Sequence, residues 1–470
     1  MSRVSADYKS ERFEMSKRNM RRGWRRPYAA AFVAVALAGA VWTVGAPQVA
    51  AQVAAPQAPT AAVNPRSASV VAATSEVLKE TSEIRQLEVL RAVKSGAQSR
   101  AEIERMLVRN LDEQTTPADL HASELALKKL GLVPADFQFR SFLIALLTEQ
   151  VAGYYEPRTQ EFYLADWIDL DGQQPVMAHE LTHALQDQHF NLRRFEKWPK
   201  GDSDAELAAH ALVEGDATLV MTFYVMRDLK RVAAMMKSMS AEGSSSEKIE
   251  RAPRVIRESI LFPYKQGMDF ASQLYRRGGW PLISEAYKAL PQSSEQILHP
   301  EKYFAREAPV KVNLPELVEL LGRNWTRLDY DVNGEWSYFQ ILDEFLRAEK
   351  VSQKAVAGWG GDRFALYENR ATREVLLAQL TAWDTEQDAV EFYDAYLNRT
   401  ERRYKDAVAD TRASIPTGTR RVWRTPKEGL VVLERQGARV AILEGVPEKV
   451  DVNALLKKVL AGTQTVQASQ

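Results

Sequence analysis

The 470-residue sequence contains no cysteine. Disulfide bonds, thiolate metal sites, a cysteine nucleophile and a lipid-modified cysteine are therefore excluded. Any metal ion held by side chains must be bound by His, Asp or Glu. Histidine is itself scarce, since the chain has only six, and three of them lie in the short stretch Met177–Phe190 (MAHELTHALQDQHF).

The chain also lacks an excess of charge of either sign, because 62 Lys and Arg balance 62 Asp and Glu. This balance removes the global electrostatic argument for a nucleic-acid partner. A composition of 45% hydrophobic and 26% charged residues is typical of a soluble globular protein. The length allows about two to three domains.

Residues 1–51 have the three-part pattern of a secretory signal peptide. A basic stretch precedes the weakly polar to apolar run of residues 29–46 (AAAFVAVALAGAVWTVGA), and small residues then suit cleavage before Gln52. An uncleaved membrane anchor over residues 29–46 is the alternative, because the run is of borderline length for a bilayer span. In either case we expect the body of the protein to be exported, to the periplasm or the extracellular space.

Composition and periodicity divide the rest of the chain into three regions. Residues 52–72 form an Ala/Pro-rich stretch that we interpret as a flexible linker. Residues 73–325 are mainly helical in pattern, with one aromatic hairpin at residues 153–165 (GYYEPRTQEFYLA). Residues 326–470 alternate helical and strand-like segments, which predicts a separate α+β domain. The predicted fold class of the whole chain is therefore α+β.

Two histidines of the quoted stretch have the spacing of a metal site. His179 and His183 are four residues apart, so on a helix they lie on one face, one turn apart. Glu180 follows the first histidine and can reach a water at the metal without being a ligand itself. This His-Glu-x-x-His arrangement is typical of zinc peptidases, in which the glutamate accepts a proton from the water that zinc acidifies. The pattern predicts a Zn²⁺ site with Glu180 as general base.

A catalytic zinc site needs a third protein ligand, and two positions compete for it. His189 has the spacing of the pattern HExxHxxGxxH, but Gln186 stands where that pattern has the glycine that ends the helix. If the helix continues, His189 points about 120° away from the ligand face. Glu214 lies on the next predicted helix, which can return antiparallel to the first. We therefore expect zinc to be held by His179, His183 and Glu214.

The helix that carries Glu214 offers two weaker candidates. Glu206, His210 and Glu214 occupy positions i, i+4 and i+8. The three therefore form one polar stripe on an otherwise apolar helix. A polar stripe that faces inward needs partners. For Glu206 and His210, a solvated helix face or a hydrogen bond behind the ligands is favoured over ligation.

The sequence HELTHA (His179–Ala184), followed by a glutamate on a later helix, resembles the gluzincins, the family of thermolysin-like zinc metallopeptidases. The resemblance covers about residues 153–218. It implies a mainly helical, zincin-like catalytic domain with a small hairpin or sheet, in which the base and ligands are those named above. It also implies that an edge strand before the active-site helix binds substrate in extended form, which assigns Glu161–Ala165 to that role.

The family pattern leaves the residue that orients the first histidine open. Gluzincins place an aspartate there, four residues after the glutamate ligand. In this sequence that position is Thr218, and the nearest aspartates are Asp216 and Asp187.

Gluzincins usually also have a His or Tyr that stabilises the oxyanion formed during hydrolysis. His299 and Tyr303, in the stretch SSEQILHPEKY, are the residues that we predict for this role. Tyr154, Tyr155 and Tyr163 of the hairpin compete for it, and a structural role for His299 is an equal alternative.

Two classes of function are consistent with these patterns. The first is an exported zinc-dependent peptidase that hydrolyses peptide or protein substrates. The second is a non-catalytic envelope protein in which a structural or relic zinc site supports a binding or scaffold role. Glu180 favours the enzyme, because neither a structural nor a relic site needs this residue. The helices predicted within residues 76–147 could belong to the catalytic fold or form an inhibitory pro-region. The sequence indicates neither the cleavage specificity nor the oligomeric state.

Overall fold

The computed structural model describes residues 65–167, 170–240, 251–411, 413–415 and 419–465. The signal peptide predicted at residues 1–51, the alternative membrane tether over residues 29–46 and most of the predicted linker lie outside these residues. Within them, no helix combines the length and the apolar composition needed to cross a bilayer. The fold class is α+β, as predicted.

The first part of the described chain is mainly helical. Its helices are α1 (Pro65–Arg85), α2 (Arg100–Gln114), α3 (Pro117–Leu130), α4 (Phe139–Gln150), α5 (Leu170–Phe190), α6 (Ser203–Met226), α7 (Leu229–Ser240), α8 (Arg254–Ala286), α9 (Ser294–Leu298) and α10 (Pro300–Phe304). Its strands are β1 (Lys94–Gln98), β2 (Gly153–Glu156) and β3 (Glu161–Ala165).

The second part combines strands with shorter helices. Its strands are β4 (Lys311–Asn313), β5 (Trp325–Asp331), β6 (Trp359–Asn369), β7 (Val375–Trp383), β8 (Val408–Ala409), β9 (Arg420–Arg424), β10 (Leu430–Gln436), β11 (Arg439–Val446) and β12 (Thr463–Thr465). Its helices are α11 (Val318–Leu321), α12 (Gly334–Leu346), α13 (Glu349–Val356), α14 (Glu386–Arg403) and α15 (Val452–Leu460).

Helix α3 begins and ends at the residues that its capping signals indicate. Thr116 and Asp119 form a reciprocal capping box at the start of α3, with Pro117 at the first helical position. Gly131 ends this helix in the left-handed conformation, at a φ of 74°. The sequence pair Thr116-Pro117 predicts a helix start at this point, because Pro is favoured at the first helical position, and the structure confirms it.

Helices α5 and α6 carry the predicted metal ligands, and α6 differs in detail from the prediction. Helix α5 begins at Leu170 and continues without a break through Gln186 to Phe190. The helical pattern of residues 203–230 predicts one long helix, but the structure divides it, because α6 ends at Met226 and α7 begins at Leu229. The Asp228 carboxylate accepts a hydrogen bond from the Lys230 N–H and so caps the new helix start.

The small sheet has the strand order β1-β3-β2, with β1 parallel and β2 antiparallel to β3. The predicted hairpin of β2 and β3 is confirmed. Glu161–Ala165, expected to be an edge strand, is the central strand instead, since Lys94–Gln98 pairs with its other side. The sequence of β1, KSGAQ, has none of the β-branched or aromatic residues that favour strands, so its pairing was not predicted.

The large sheet is fully antiparallel, with the order β5-β6-β7-β11-β10-β9-β8. Its side chains alternate between two cores, as the strand period requires. Val431 and Leu433 face the larger core with α12 and α14, whereas Leu430 and Val432 face a smaller core with α15.

One buried core crosses the domain boundary that the sequence suggested at residues 325–326. The larger core contains Leu181 of α5 and Leu212 of α6 together with Phe392 of α14 and Ile442 of β11. The large sheet and its helices therefore pack against the first, mainly helical part of the chain through one shared core.

Helices α6 and α8 approach each other closely at two glycines. A Cβ atom on Gly215 would lie 2.1 Å from the Gly267 carbonyl oxygen, and a Cβ on Gly267 would lie 2.1 Å from the Ala211 carbonyl oxygen. No side chain fits at either position without moving a helix backbone.

We predict that Gly267→Ala lowers the free energy of unfolding by about 1–3 kcal/mol, because the added methyl group forces α8 away from α6. Chemical denaturation measures the change. The control is Gly96→Ala in β1, where the nearest atom to the new Cβ would be a Tyr163 ring carbon at 3.7 Å. This control should change stability by less than about 0.5 kcal/mol. Equal stabilities of the two variants would contradict the close contact.

Candidate metal centre

Helix α5 presents His179, Glu180 and His183 inside the protein. The three residues are 4, 3 and 9% exposed, so they do not belong to a solvated helix face. Because α5 continues past Gln186, His189 is directed elsewhere. Its Nε2 atom lies 2.8 Å from the carbonyl oxygen of Glu88.

Helix α6 packs against α5 and places Glu214 between the two histidines. The Glu214 Oε2 atom lies 3.1 Å from His179 Nε2 and 3.4 Å from His183 Nε2. The two Nε2 atoms are 3.1 Å apart. Potential ligand atoms of all three residues lie within 4.8 Å of one another. The structure thus brings together the three residues predicted as ligands.

The donor set fits a divalent transition metal. Two imidazole nitrogens and one carboxylate oxygen are the combination found in catalytic zinc sites, which leave a further position open. Burial lowers the pKa of His179, which keeps this imidazole neutral, as ligation requires. Burial also acts to lower the pKa of His183, but the neighbouring Glu214 carboxylate raises it to about 9. Burial acts to raise the pKa of Glu214, but His183 and His179 hold it well below its usual range.

The Glu180 carboxylate lies beside this cluster and is half satisfied. Its Oε2 atom accepts a hydrogen bond of 3.0 Å from the Tyr155 backbone N–H of β2. Its Oε1 atom is buried and has no hydrogen-bond partner among the described residues. Burial raises the pKa of Glu180 to about 8. The carboxylate is thus anchored by one oxygen and leaves the other available to accept a proton.

Tyr264 of α8 is a site residue that sequence reasoning missed. Its ring centroid lies 5.8 Å from that of His179, and its buried hydroxyl has no hydrogen-bond partner among the described residues. Burial and the carboxylates of Glu214 and Glu180 raise its pKa well above the usual value, so the hydroxyl is a donor. The surrounding sequence, LFPYKQ, carries no motif that would have indicated this role.

A second layer of polar side chains forms hydrogen bonds to the proposed ligands. The Gln186 amide oxygen lies 2.8 Å from His183 Nδ1, and the amide nitrogen lies 3.0 Å from Asp216 Oδ2. Asp187 instead accepts hydrogen bonds from the Tyr155 hydroxyl and the Leu192 N–H. Of the two aspartates that the sequence left open, Asp216 therefore reaches a proposed ligand through Gln186, but that ligand is the second histidine, His183, and not the first, His179.

The two weaker candidates on α6 do not join the metal cluster. Glu206 is buried, and burial together with Asp331 and Asp202 raises its pKa to about 9. His210 is partly buried with its ring near Phe195, at 6.1 Å between centroids, and burial lowers its pKa to about 4.

The predicted oxyanion donors have partners away from the metal ligands. His299 Nε2 lies 2.9 Å from a Glu335 carboxylate oxygen, and the Tyr303 hydroxyl donates to the Ala289 carbonyl. The three tyrosines of the hairpin are also engaged, with hydrogen bonds from Tyr154 to Gln98, Tyr155 to Asp187 and Tyr163 to Glu161.

A second acidic group in the described residues is occupied by an ammonium group. Glu295, Glu307 and Asp384 come together within reach of one cation. Lys302 Nζ lies 2.7 Å from an oxygen of each. The lysine ammonium group already occupies the position that a cation would take among these three side chains.

Comparison with known proteins gives a family match for the region of the large sheet but not for the candidate metal centre. A family model described as a domain of unknown function (DUF8575) matches residues 320–456, a range that excludes α5 and α6. A solved structure from Chloroflexus aurantiacus, described as a candidate hydrolase with a novel fold, is similar at 15% identity and a TM-score of 0.36. The similarity covers 52% of this chain and 92% of that chain. The curated proteins gave no match. Neither similarity carries an argument about the reaction, which has to come from the site itself.

We predict that the chain binds a divalent metal ion and that Glu214→Gln removes most of this binding, because the amide cannot supply the anionic ligand. Metal content after dialysis, measured by elemental analysis, tests this. The matched control is His189→Ala, which should keep the ion. Loss of metal in the control with retention in Glu214→Gln would assign the third ligand to His189.

Proposed function

We propose that this protein is a zinc-dependent peptidase, with His179, His183 and Glu214 as zinc ligands and Glu180 as general base. The observation that carries the proposal is the free Glu180 oxygen next to a buried His-His-Glu cluster. A metal site that serves only structure has no use for a desolvated carboxylate beside it, because such a group is costly to bury.

When bound, zinc supplies a Lewis acid that polarises the substrate carbonyl and acidifies a water molecule. The two imidazoles and the Glu214 carboxylate would hold the ion. The remaining residues of the site move the proton and stabilise charge.

Glu180 accepts the proton of the attacking water through its free oxygen. The hydrogen bond from the Tyr155 N–H holds the carboxylate on the side of β2 and prevents it from turning into the ligand position. The same carboxyl group can then deliver the proton to the leaving amine, as a general base does after attack.

Tyr264 is the donor that we assign to the oxyanion of the tetrahedral intermediate. Its buried hydroxyl lies next to His179 and interacts electrostatically with the Glu214 and Glu180 carboxylates, so it stands beside the proposed ligands as a hydrogen-bond donor. A preorganised donor of this kind stabilises charge that develops only in the transition state.

Strand β2 is the substrate-binding strand in this proposal, in place of β3. It lies at the edge of the small sheet, paired with β3 alone, and its Tyr155 N–H points to the site. An extended peptide can align along such an edge through main-chain hydrogen bonds. The substrate class is therefore a peptide or protein segment in extended form. Export of the enzyme is supported by the signal-like pattern of residues 1–51.

We predict that Glu180→Gln lowers kcat by about 10²–10⁴ and keeps zinc, because the amide retains the hydrogen bond from Tyr155 but cannot accept a proton. Hydrolysis of a quenched fluorescent peptide library and zinc content are measured on the same samples. Glu206→Gln is the matched control, since Glu206 is also buried on a neighbouring helix with one unpaired oxygen. Hydrolysis by Glu180→Gln at the wild-type rate would exclude the proposed base, and a wild-type chain that binds zinc without hydrolysing any peptide would favour the scaffold role.

We predict that Tyr264→Phe lowers kcat by about 10²–10³ through loss of the oxyanion donor. Zinc affinity should change little, because the hydroxyl is not a ligand. Tyr224→Phe on α6, which removes a hydroxyl bound to Gln174, should leave kcat unchanged. Steady-state kinetics with zinc-loaded protein distinguishes the two, and an unchanged kcat in Tyr264→Phe would remove this residue from the mechanism.

A further inference from the structure

A chain of buried polar contacts connects the end of α1 to the metal ligand His183. We propose that Arg85, Asp216 and Gln186 act as a positioning relay, the Arg85 relay, which fixes the tautomer and orientation of His183 and makes α1 a permanent part of the metal site. This inference rests on the proposed metal-binding function.

The relay begins with an ion pair that has no contact with solvent. Arg85 Nε lies 2.6 Å from Asp216 Oδ1, and both side chains are 0% exposed. The guanidinium is held in place by Ser284, whose hydroxyl oxygen accepts from Nη1 at 3.2 Å, and by the Trp280 ring at 5.0 Å. Burying a carboxylate without such a partner is costly, so the Arg85 guanidinium compensates the Asp216 carboxylate in the protein interior.

The hydrogen bonds of Asp216 determine which way the Gln186 amide faces. Its Oδ2 atom accepts from Gln186 Nε2 at 3.0 Å and from the Tyr287 hydroxyl at 3.0 Å. The second hydrogen of the same amide nitrogen is directed to the Val213 carbonyl oxygen at 3.1 Å. With both N–H groups committed to acceptors, the amide cannot turn over, and its oxygen faces His183.

The fixed amide oxygen in turn determines the tautomer of His183. Since Gln186 Oε1 is an acceptor 2.8 Å from Nδ1, the hydrogen of the neutral imidazole resides on Nδ1. The lone pair is then on Nε2, which faces His179 and Glu214. The turned amide would present N–H groups and favour the opposite tautomer, which cannot ligate from Nε2. Second-layer partners of this type commonly change metal affinity by about 10–100-fold.

The relay gives the N-terminal helix a defined role. Helix α1 supplies the positive charge at the far end of the relay, and it packs against α5 and α6, which carry the ligands. We therefore infer that α1 belongs to the catalytic fold and is not a pro-region whose removal would activate the enzyme.

The test is a double-mutant cycle on zinc affinity in the full chain. Dissociation constants for zinc are measured by competition with a chromophoric chelator for the wild type, Arg85→Met, Gln186→Met and the double variant. We expect each single variant to bind zinc about 10–100-fold more weakly. The double variant should be no weaker than the weaker single variant, because both substitutions interrupt one relay. Arg85→Lys, which retains the charge, should recover part of the loss.

The matched control breaks a different ion pair of the same helix. Glu80 of α1 pairs with Arg231 of α7 at 2.9 Å through both guanidinium nitrogens, and this pair has no contact with Asp216. Glu80→Gln should leave the zinc dissociation constant within about twofold of the wild type. A general loosening of α1 would weaken zinc binding in this control as well, and such a result would overturn the relay.

A second readout does not depend on whether Arg85→Met folds. In zinc-loaded wild-type protein with ¹⁵N-labelled histidine, His183 should show a protected Nδ1–H, and in Gln186→Met this proton should exchange at least about tenfold faster. Ligation through Nδ1, or additive effects in the cycle, would overturn the relay while leaving the peptidase proposal intact. If the wild-type chain binds no zinc, both proposals fail. If zinc binds and the relay behaves as expected but no peptide is hydrolysed, only the peptidase proposal fails.

Discussion

The metal centre depends on the packing of α6 against α5 and α8, because only this packing carries the Glu214 carboxylate to the two histidines. Helix α5 presents its imidazoles one turn apart, and Glu214 of α6 lies within 3.4 Å of both. The contact of Gly215 and Gly267 backbones allows α6 and α8 to lie close enough for Glu214 and Tyr264 to reach the same small volume. The sheet and its helices support this arrangement from the side, since the larger core runs through both parts of the chain.

Many of the buried charges in the described chain have a partner of opposite charge. Arg85 with Asp216, and Arg399 with Glu444, are fully buried pairs, and Lys302 contacts three acidic groups. At the metal centre, one oxygen of Glu180 and the hydroxyl of Tyr264 are left without partners. Unpaired polar atoms also occur elsewhere, for example in Asp204 and Glu335, so an unpaired atom alone is no sign of catalysis. What distinguishes Glu180 and Tyr264 is that these atoms border the His179, His183 and Glu214 cluster that could hold a metal ion.

The part of the site that could be predicted from the sequence is the part that follows from local periodicity. The helical spacing of His179 and His183, the continuation of the helix at Gln186 and the removal of His189 all depend on residues within a few turns of one another. The choice of Glu214 needed one further step, the antiparallel return of the next helix. Local reasoning failed for β1, whose sequence has no strand propensity and which forms through pairing with β3. It also failed for the assignment of β3 as an edge, because an edge is defined by which strands pair, and pairing is a long-range property.

By itself, the sequence determined the chemistry that is possible: without cysteine the ligands had to be His, Asp or Glu, and the His-Glu-x-x-His spacing placed two of them and a base on one helical face. Only the tertiary structure decided what surrounds that face. Tyr264 reaches His179 from a helix far along the chain, and Arg85 reaches His183 through Asp216 and Gln186 from a helix that precedes it. The physical reason is that hydrogen bonds and desolvation depend on which groups share a buried volume, and residues distant in sequence come to share one only when their helices pack.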